Sequence, residues 1–88
     1  MNYELVKNQS GTICGLWVSD PELRQNRDLL NMLLIQENAS MDLCAAARAG
    51  KYRVVPNTFN NAGGYFIMFG STLAPGEKTT TAAKMDGK

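Results

Sequence analysis

The sequence predicts a small α+β domain, ordered β-β-α-(α)-β-β, with a roughly four-stranded antiparallel or mixed sheet covered by helix on one face. Three observations carry that prediction. β-branched and aromatic runs bounded by turn residues occur near both ends of residues 1–74. A capped segment rich in helix formers lies between them. With 88 residues in all, the chain has room for one modest core, and folding at this size buries only about 60 to 65% of the unfolded surface.

The first strand is expected over residues 3–6, followed by the turn residues Asn8, Gln9, Ser10 and Gly11 and a second strand over 12–18. In that second strand Ile13, Gly15 and Trp17 alternate with Cys14, Leu16 and Val18, so neither face is polar and an interior position follows. Gly15 marks a bulge or a close neighbour. Ser19, Asp20, Pro21 and Glu22 make a helix start, with Asp20 as cap and Pro21 at the first helical position. Helix is predicted from Pro21 to about Glu37. Ser40 then caps a second segment over 41–49 that stops at Gly50. One bent helix and two short ones both satisfy this pattern. A third strand is expected at 52–55 and a fourth at 65–69, joined through the flexible Asn60, Asn61, Ala62, Gly63, Gly64 connection. Residues 75–88 lack apolar periodicity and are expected to form a flexible tail.

Residues 29–35 read Leu-Leu-Asn-Met-Leu-Leu-Ile, and in a helix only Asn31 interrupts the apolar surface. Leu30, Leu33 and Leu34 define one side, which leaves Met32 and Ile35 pointing elsewhere. The sheet raises a similar question. If its far face were bare, it would expose either Trp17 with Tyr65, Ile67 and Phe69, or Leu16 with Phe66 and Met68. Covering roughly 400 Å² of apolar surface is worth on the order of 10 kcal/mol before association costs, enough to sustain a dimer. The competing expectation is that the loop over 57–64 or the tail folds across that face. Met32 and Ile35 on the helix, with Trp17, Phe66 and Met68 on the sheet, are therefore the candidate protein-interaction residues.

The chain contains no histidine, so it offers no imidazole ligand or ordinary neutral-pH proton shuttle. Asp20 and Glu22 sit where a helix start favours negative charge, while Glu37 and Asp42 flank the expected break. Cys14 and Cys44 form no CxxC pair, and a single buried disulfide would require an oxidising compartment. No zinc or calcium spacing occurs, and no cofactor is expected. The glycine-rich connection lacks a phosphate-loop pattern and leads into a strand. Two Asn-x-Ser sequences, at Asn8 and Asn38, read as coincidental without a secretory leader.

The net charge is +1, and residues 1–74 carry six basic and six acidic side chains, so no global basic character points to nucleic acid. Arg48, Lys51 and Arg53 nevertheless form a local basic group with Tyr52 interleaved and the aromatics of the fourth strand nearby. This group supports an alternative reading as a small single-stranded nucleic-acid binder. The primary expectation is a non-enzymatic inhibitor, antagonist or adaptor of phage or microbial type. It would act in the cytoplasm on a protein partner or on itself, as a homodimer, without membrane contact.

Overall fold

The computed structural model describes residues 2–77. Strands β1 (Tyr3–Lys7), β2 (Ile13–Val18), β3 (Arg53–Pro56) and β4 (Tyr65–Met68) form one antiparallel sheet in the order β1-β2-β4-β3. Helices α1 (Arg27–Gln36) and α2 (Met41–Ala49), preceded by a 3₁₀ turn at Pro21–Gln25, lie between β2 and β3 in sequence. The predicted α+β class and element order are those of the structure.

Asn8 organises the first hairpin. Its side-chain oxygen accepts hydrogen bonds from the backbone amides of Ser10 and Thr12, and Gly11 supplies the left-handed residue at φ 82°. Further along the pair, Val6 faces Gly15 but Lys7 faces Ile13, which leaves Cys14 as an extra residue on β2. That bulge reverses the alternation. Ile13 joins the helix-side core and Cys14 turns to the far side, where its thiol donates to the Val6 carbonyl oxygen at 3.4 Å.

The expected helix from Pro21 to Glu37 is two segments. Asp20 does cap its start, accepting from the Glu22 amide at 2.9 Å, but the first turn is 3₁₀ and ends at Asn26. The Asn26 side chain accepts from the Leu29 amide at 3.1 Å and so starts α1 afresh. This is the competition of a short polar side chain with the helical ladder. The break lets Leu23 pack into the core together with Leu30 and Leu34. At the other end Asn38 adopts φ 61°, and the Asn38 and Ala39 amides return to the carbonyls of Ile35 and Leu34. Ser40 caps α2 and Gly50 closes it at φ 75°, as the sequence suggests.

The sheet separates two cores. On the helix side Leu16, Val18, Ile67 and Phe69 pack against Leu23, Leu30, Leu34 and Ala47. On the far side Cys14, Phe66 and Met68 pack beneath Ala74, with Val6, Trp17 and Val55 at the margin. Leu16 lies opposite Ile67, and Trp17 opposite Phe66. The two alternative sets expected of a bare face are thus regrouped, because strand pairing is set by the register and the bulge rather than by position within one strand.

The far face is closed by the chain after Gly70, which runs across it as a strap. Arg53 Nη2 donates to the Thr72 carbonyl and to Glu77 Oε1, each at 2.8 Å, and Glu77 Oε1 also accepts from the Ala74 amide at 2.8 Å. Phe59, from the loop before β4, rests against Gly76. The expectation of an open sheet face is corrected accordingly: Phe66 and Met68 are buried, and loop and strap cover them. Of the expected tail, residues 75–77 belong to this strap, and 78–88 lie outside the described residues. Cys14 and Cys44 are free thiols in the far-side and helix-side clusters, with the sheet between them. Among the described residues no helix is long and apolar enough to cross a membrane.

Candidate interaction surface

The Leu29 to Ile35 run resolves into three faces. Leu30, Leu33 and Leu34 are buried, and Leu29 is half-buried against the core. Asn31, the polar interruption, turns toward α2, where its amide donates to the Cys44 carbonyl oxygen at 3.0 Å. Met32 and Ile35, three residues apart and therefore neighbours on one helix face, remain 63% and 58% exposed. A shallow groove of about 490 Å³ runs over the helix pair, lined by Asn31, Ile35, Met41, Ala45 and Arg48 among others.

Met41 is the most exposed large apolar side chain of this surface, at 87%. It was readable as the first residue of a capped helix, but not as part of the same patch. Its signal is an apolar residue in the first turn, directly after the Ser40 cap, where no core position requires one. Along α2, Met41, Asp42, Ala45, Arg48 and Ala49 are all exposed, whereas Ala47 is buried and Leu43 and Cys44 are half-buried.

The sheet candidates occupy one face but not one surface. Trp17 is half-buried, and its indole N–H donates to the Gly63 carbonyl at 2.7 Å. Gly64, at φ 78°, lies so near that a side chain there would strike the Val18 carbonyl and the indole. Phe66 and Met68 are 5% and 0% exposed beneath the strap. What remains open is a groove of about 290 Å³ bordered by Glu4, Val6, Trp17, Phe59, Phe66 and Pro75. Burial also pushes the Cys14 thiol pKa above its ordinary value, so a reactive thiolate is disfavoured there.

The basic group does not converge. Arg48 and Lys51 are exposed, but the Arg53 guanidinium holds the strap through Thr72 and Glu77. The Tyr52 hydroxyl donates to the Arg24 carbonyl at 3.1 Å, and its ring meets Phe69 edge-on at 5.7 Å between centroids. Arg24 itself lies 4.7 Å above the Tyr65 ring. Tyr65 and Phe69 belong to the helix side of the sheet and Phe66 to the other, so no aromatic platform forms beside the free cations.

Among the described residues no group of three or more cysteine or carboxylate side chains gathers in a metal-binding arrangement. Comparison with protein-family models, with curated proteins and with solved structures returns no match.

Proposed function

We propose that the chain is a non-enzymatic protein-interaction module, acting as an inhibitor, antagonist or adaptor that occupies a partner surface through the outer side of its two helices. The observation that carries this reading is the exposure of Met32, Ile35 and Met41, 58 to 87%, with Met32 beside Ile35 on α1 and with Ile35 and Met41 lining one groove over the helix pair. The sheet side buries Phe66 and Met68 beneath its own strap and leaves Phe59 and Leu73 exposed singly on the loop and the strap. The lack of histidine, together with the use of Asp20 as a helix cap, supports a binding role over a catalytic one. Two free thiols accord with a cytoplasmic setting.

Covering the three exposed side chains is worth about 3 to 6 kcal/mol. That is comparable with the low end of the cost of association, so polar groups around the patch must contribute to any stable complex. A nucleic-acid role draws less support, since Arg53 is engaged by Glu77 and Tyr52 by the core.

The test is affinity capture from a lysate of the natural host, comparing the natural chain with the Met32→Glu/Ile35→Glu variant. Capture of a protein, whether a second copy or another chain, should be lost in the variant while its circular dichroism is retained. Equal capture by both would refute this assignment of the surface.

A further inference from the structure

One row of side chains crosses the far face of the sheet. Glu4 of β1 lies opposite Trp17 of β2, and Trp17 lies opposite Phe66 of β4, so a carboxylate and two aromatic rings share one face within two strand spacings, about 10 Å. The strap and the loop before β4 turn that row into the groove of about 290 Å³, bordered by Pro75 on one and by Phe59 and Asn60 on the other. Phe66 is buried, Trp17 half-buried and Phe59 exposed, so aromatic surface continues from beneath the strap out to solvent.

The walls are fixed by the chain itself. Gly63 holds the Trp17 indole N–H through its carbonyl oxygen at 2.7 Å. Asn57 ties the loop, its Oδ1 accepting from the Phe59 amide at 2.9 Å and its Nδ2 donating to Asn60 Oδ1 at 2.8 Å and to the Gly63 carbonyl oxygen at 2.9 Å. Gly76 backs the Phe59 Cβ from the strap. A groove ordered in this way loses little freedom when a ligand enters.

The chemistry of the lining selects the ligand. Glu4 is the sole ionisable side chain that borders the groove. The sole ion pair among the described residues is Arg53 with Glu77, so the Glu4 carboxylate meets no cation of the described chain within ion-pair distance. Aromatic rings beside an unpaired carboxylate attract positive charge and repel anions. A fully methylated ammonium group suits them best, because it offers methyl groups to the rings and needs no hydrogen-bond partner. The indole N–H, already engaged by Gly63, has none to give.

We infer that this groove binds a small organic cation, its methylated ammonium group against the Trp17, Phe59 and Phe66 side chains and beside the Glu4 carboxylate. Its volume lies at the lower end for small-molecule sites, which suits a ligand of a few carbon atoms around the charge. The site lies across the sheet from the helix surface proposed above, and its occupancy does not depend on that surface.

Titration of the purified full chain with choline tests it, with ionic strength held constant by sodium chloride. Trp17 is the sole tryptophan, so its fluorescence and its indole N–H resonance both report on the groove. They should change saturably, with a Kd at or below about 1 mM. 3,3-Dimethylbutan-1-ol has the shape of choline with carbon in place of the charged nitrogen, and it should bind at least about fivefold more weakly. Glu4→Gln should weaken choline binding about threefold and Phe59→Ala about fivefold, each with unchanged circular dichroism because both side chains are exposed. No saturable change in either signal up to about 10 mM choline, equal binding of the neutral alcohol, or natural affinity in either variant would each overturn the inference. A peptide carrying trimethyllysine that binds at least about tenfold more tightly than choline would overturn the small-molecule occupant in favour of a protein side chain.

Discussion

Replacing Glu77 with alanine should unfasten the strap that covers Cys14, Phe66 and Met68. One oxygen of Glu77 holds two donors at 2.8 Å, the Arg53 guanidinium and the Ala74 backbone amide. The ion pair is partly wet, its side chains 38% and 21% exposed, so its contribution is that of a surface pair, about 0.5 to 1 kcal/mol. Depriving the part-buried Ala74 amide of its acceptor costs about 1 to 2 kcal/mol more. Together these raise the population of a strap-open state by about 10- to 150-fold, at one decade per 1.4 kcal/mol. Cys14 reports the opening directly. The residue is 7% exposed and its thiol pKa is raised by burial, so release both uncovers it and favours the thiolate. The assay is the rate of thiol labelling by a chromogenic disulfide, measured in a Cys44→Ala background to leave one reporter. Labelling should accelerate by the factor given for Glu77→Ala and by less for Glu77→Gln, which keeps an acceptor and loses the charge. A Glu77→Ala rate within about twofold of the parent's would refute the fastening role of this side chain.

Gly15→Ala should destabilise the domain by about 1 to 3 kcal/mol in urea unfolding, because the new methyl would meet Met68 Sδ at 2.5 Å and the Ile67 carbonyl oxygen at 2.7 Å. A change below about 0.5 kcal/mol would show that β2 and β4 are less closely apposed than described. Leu34→Ala, at a fully buried position, should cost about 2 to 5 kcal/mol, whereas Met32→Ala on the same helix should change stability by less than about 0.5 kcal/mol. Equal effects would contradict the division of α1 into core and outer faces. The Tyr3 hydroxyl donates to Glu37 Oε2 at 2.6 Å, and that bond, followed by burial and the carboxylate charge, raises its pKa above 10.0. Because the folded value is the higher one, this contribution to stability is fully present below about pH 10 and is lost as pH rises through the raised folded value. Unfolding midpoints in that alkaline range should fall less steeply for Glu37→Gln, with the Tyr3 ring titrating nearer its ordinary value by NMR.

Local chemistry made much of the fold legible. Ser40 and Gly50 bracket α2 because a hydroxyl at the start and a glycine at the end satisfy the unpaired amides and carbonyls of any helix, whatever surrounds it. The Asn8 to Gly11 turn is equally local. The break at Asn26 was harder to read. Asn26 followed by Asp28 is itself a capping signal, yet helix propensity on either side obscured it, and what decides the matter is the burial of Leu23 against a sheet distant in sequence.

The pairing of Leu16 with Ile67 and of Trp17 with Phe66 has no local signature, since it depends on register across 50 residues and on the bulge at Cys14. The outward direction of Met32 and Ile35 follows from helical periodicity alone, and the structure leaves them exposed. Phe66 and Met68 followed the same period-two logic onto one sheet face. Their cover comes from Ala74 and Glu77, in a segment whose small and polar residues carry no pattern that announces packing.

The outer side of the helices, rather than the far side of the sheet, is the surface proposed to meet a protein partner. Site-specific photo-crosslinking tests it most directly, with a benzophenone side chain placed at Ile35 in one sample and at Glu4, on the rim of the sheet-side groove, in another. In a lysate of the natural host, position 35 should give a protein adduct, either with a second copy or with another chain, and position 4 should give none. Adducts from position 4 alone, or from neither position, would contradict the claim.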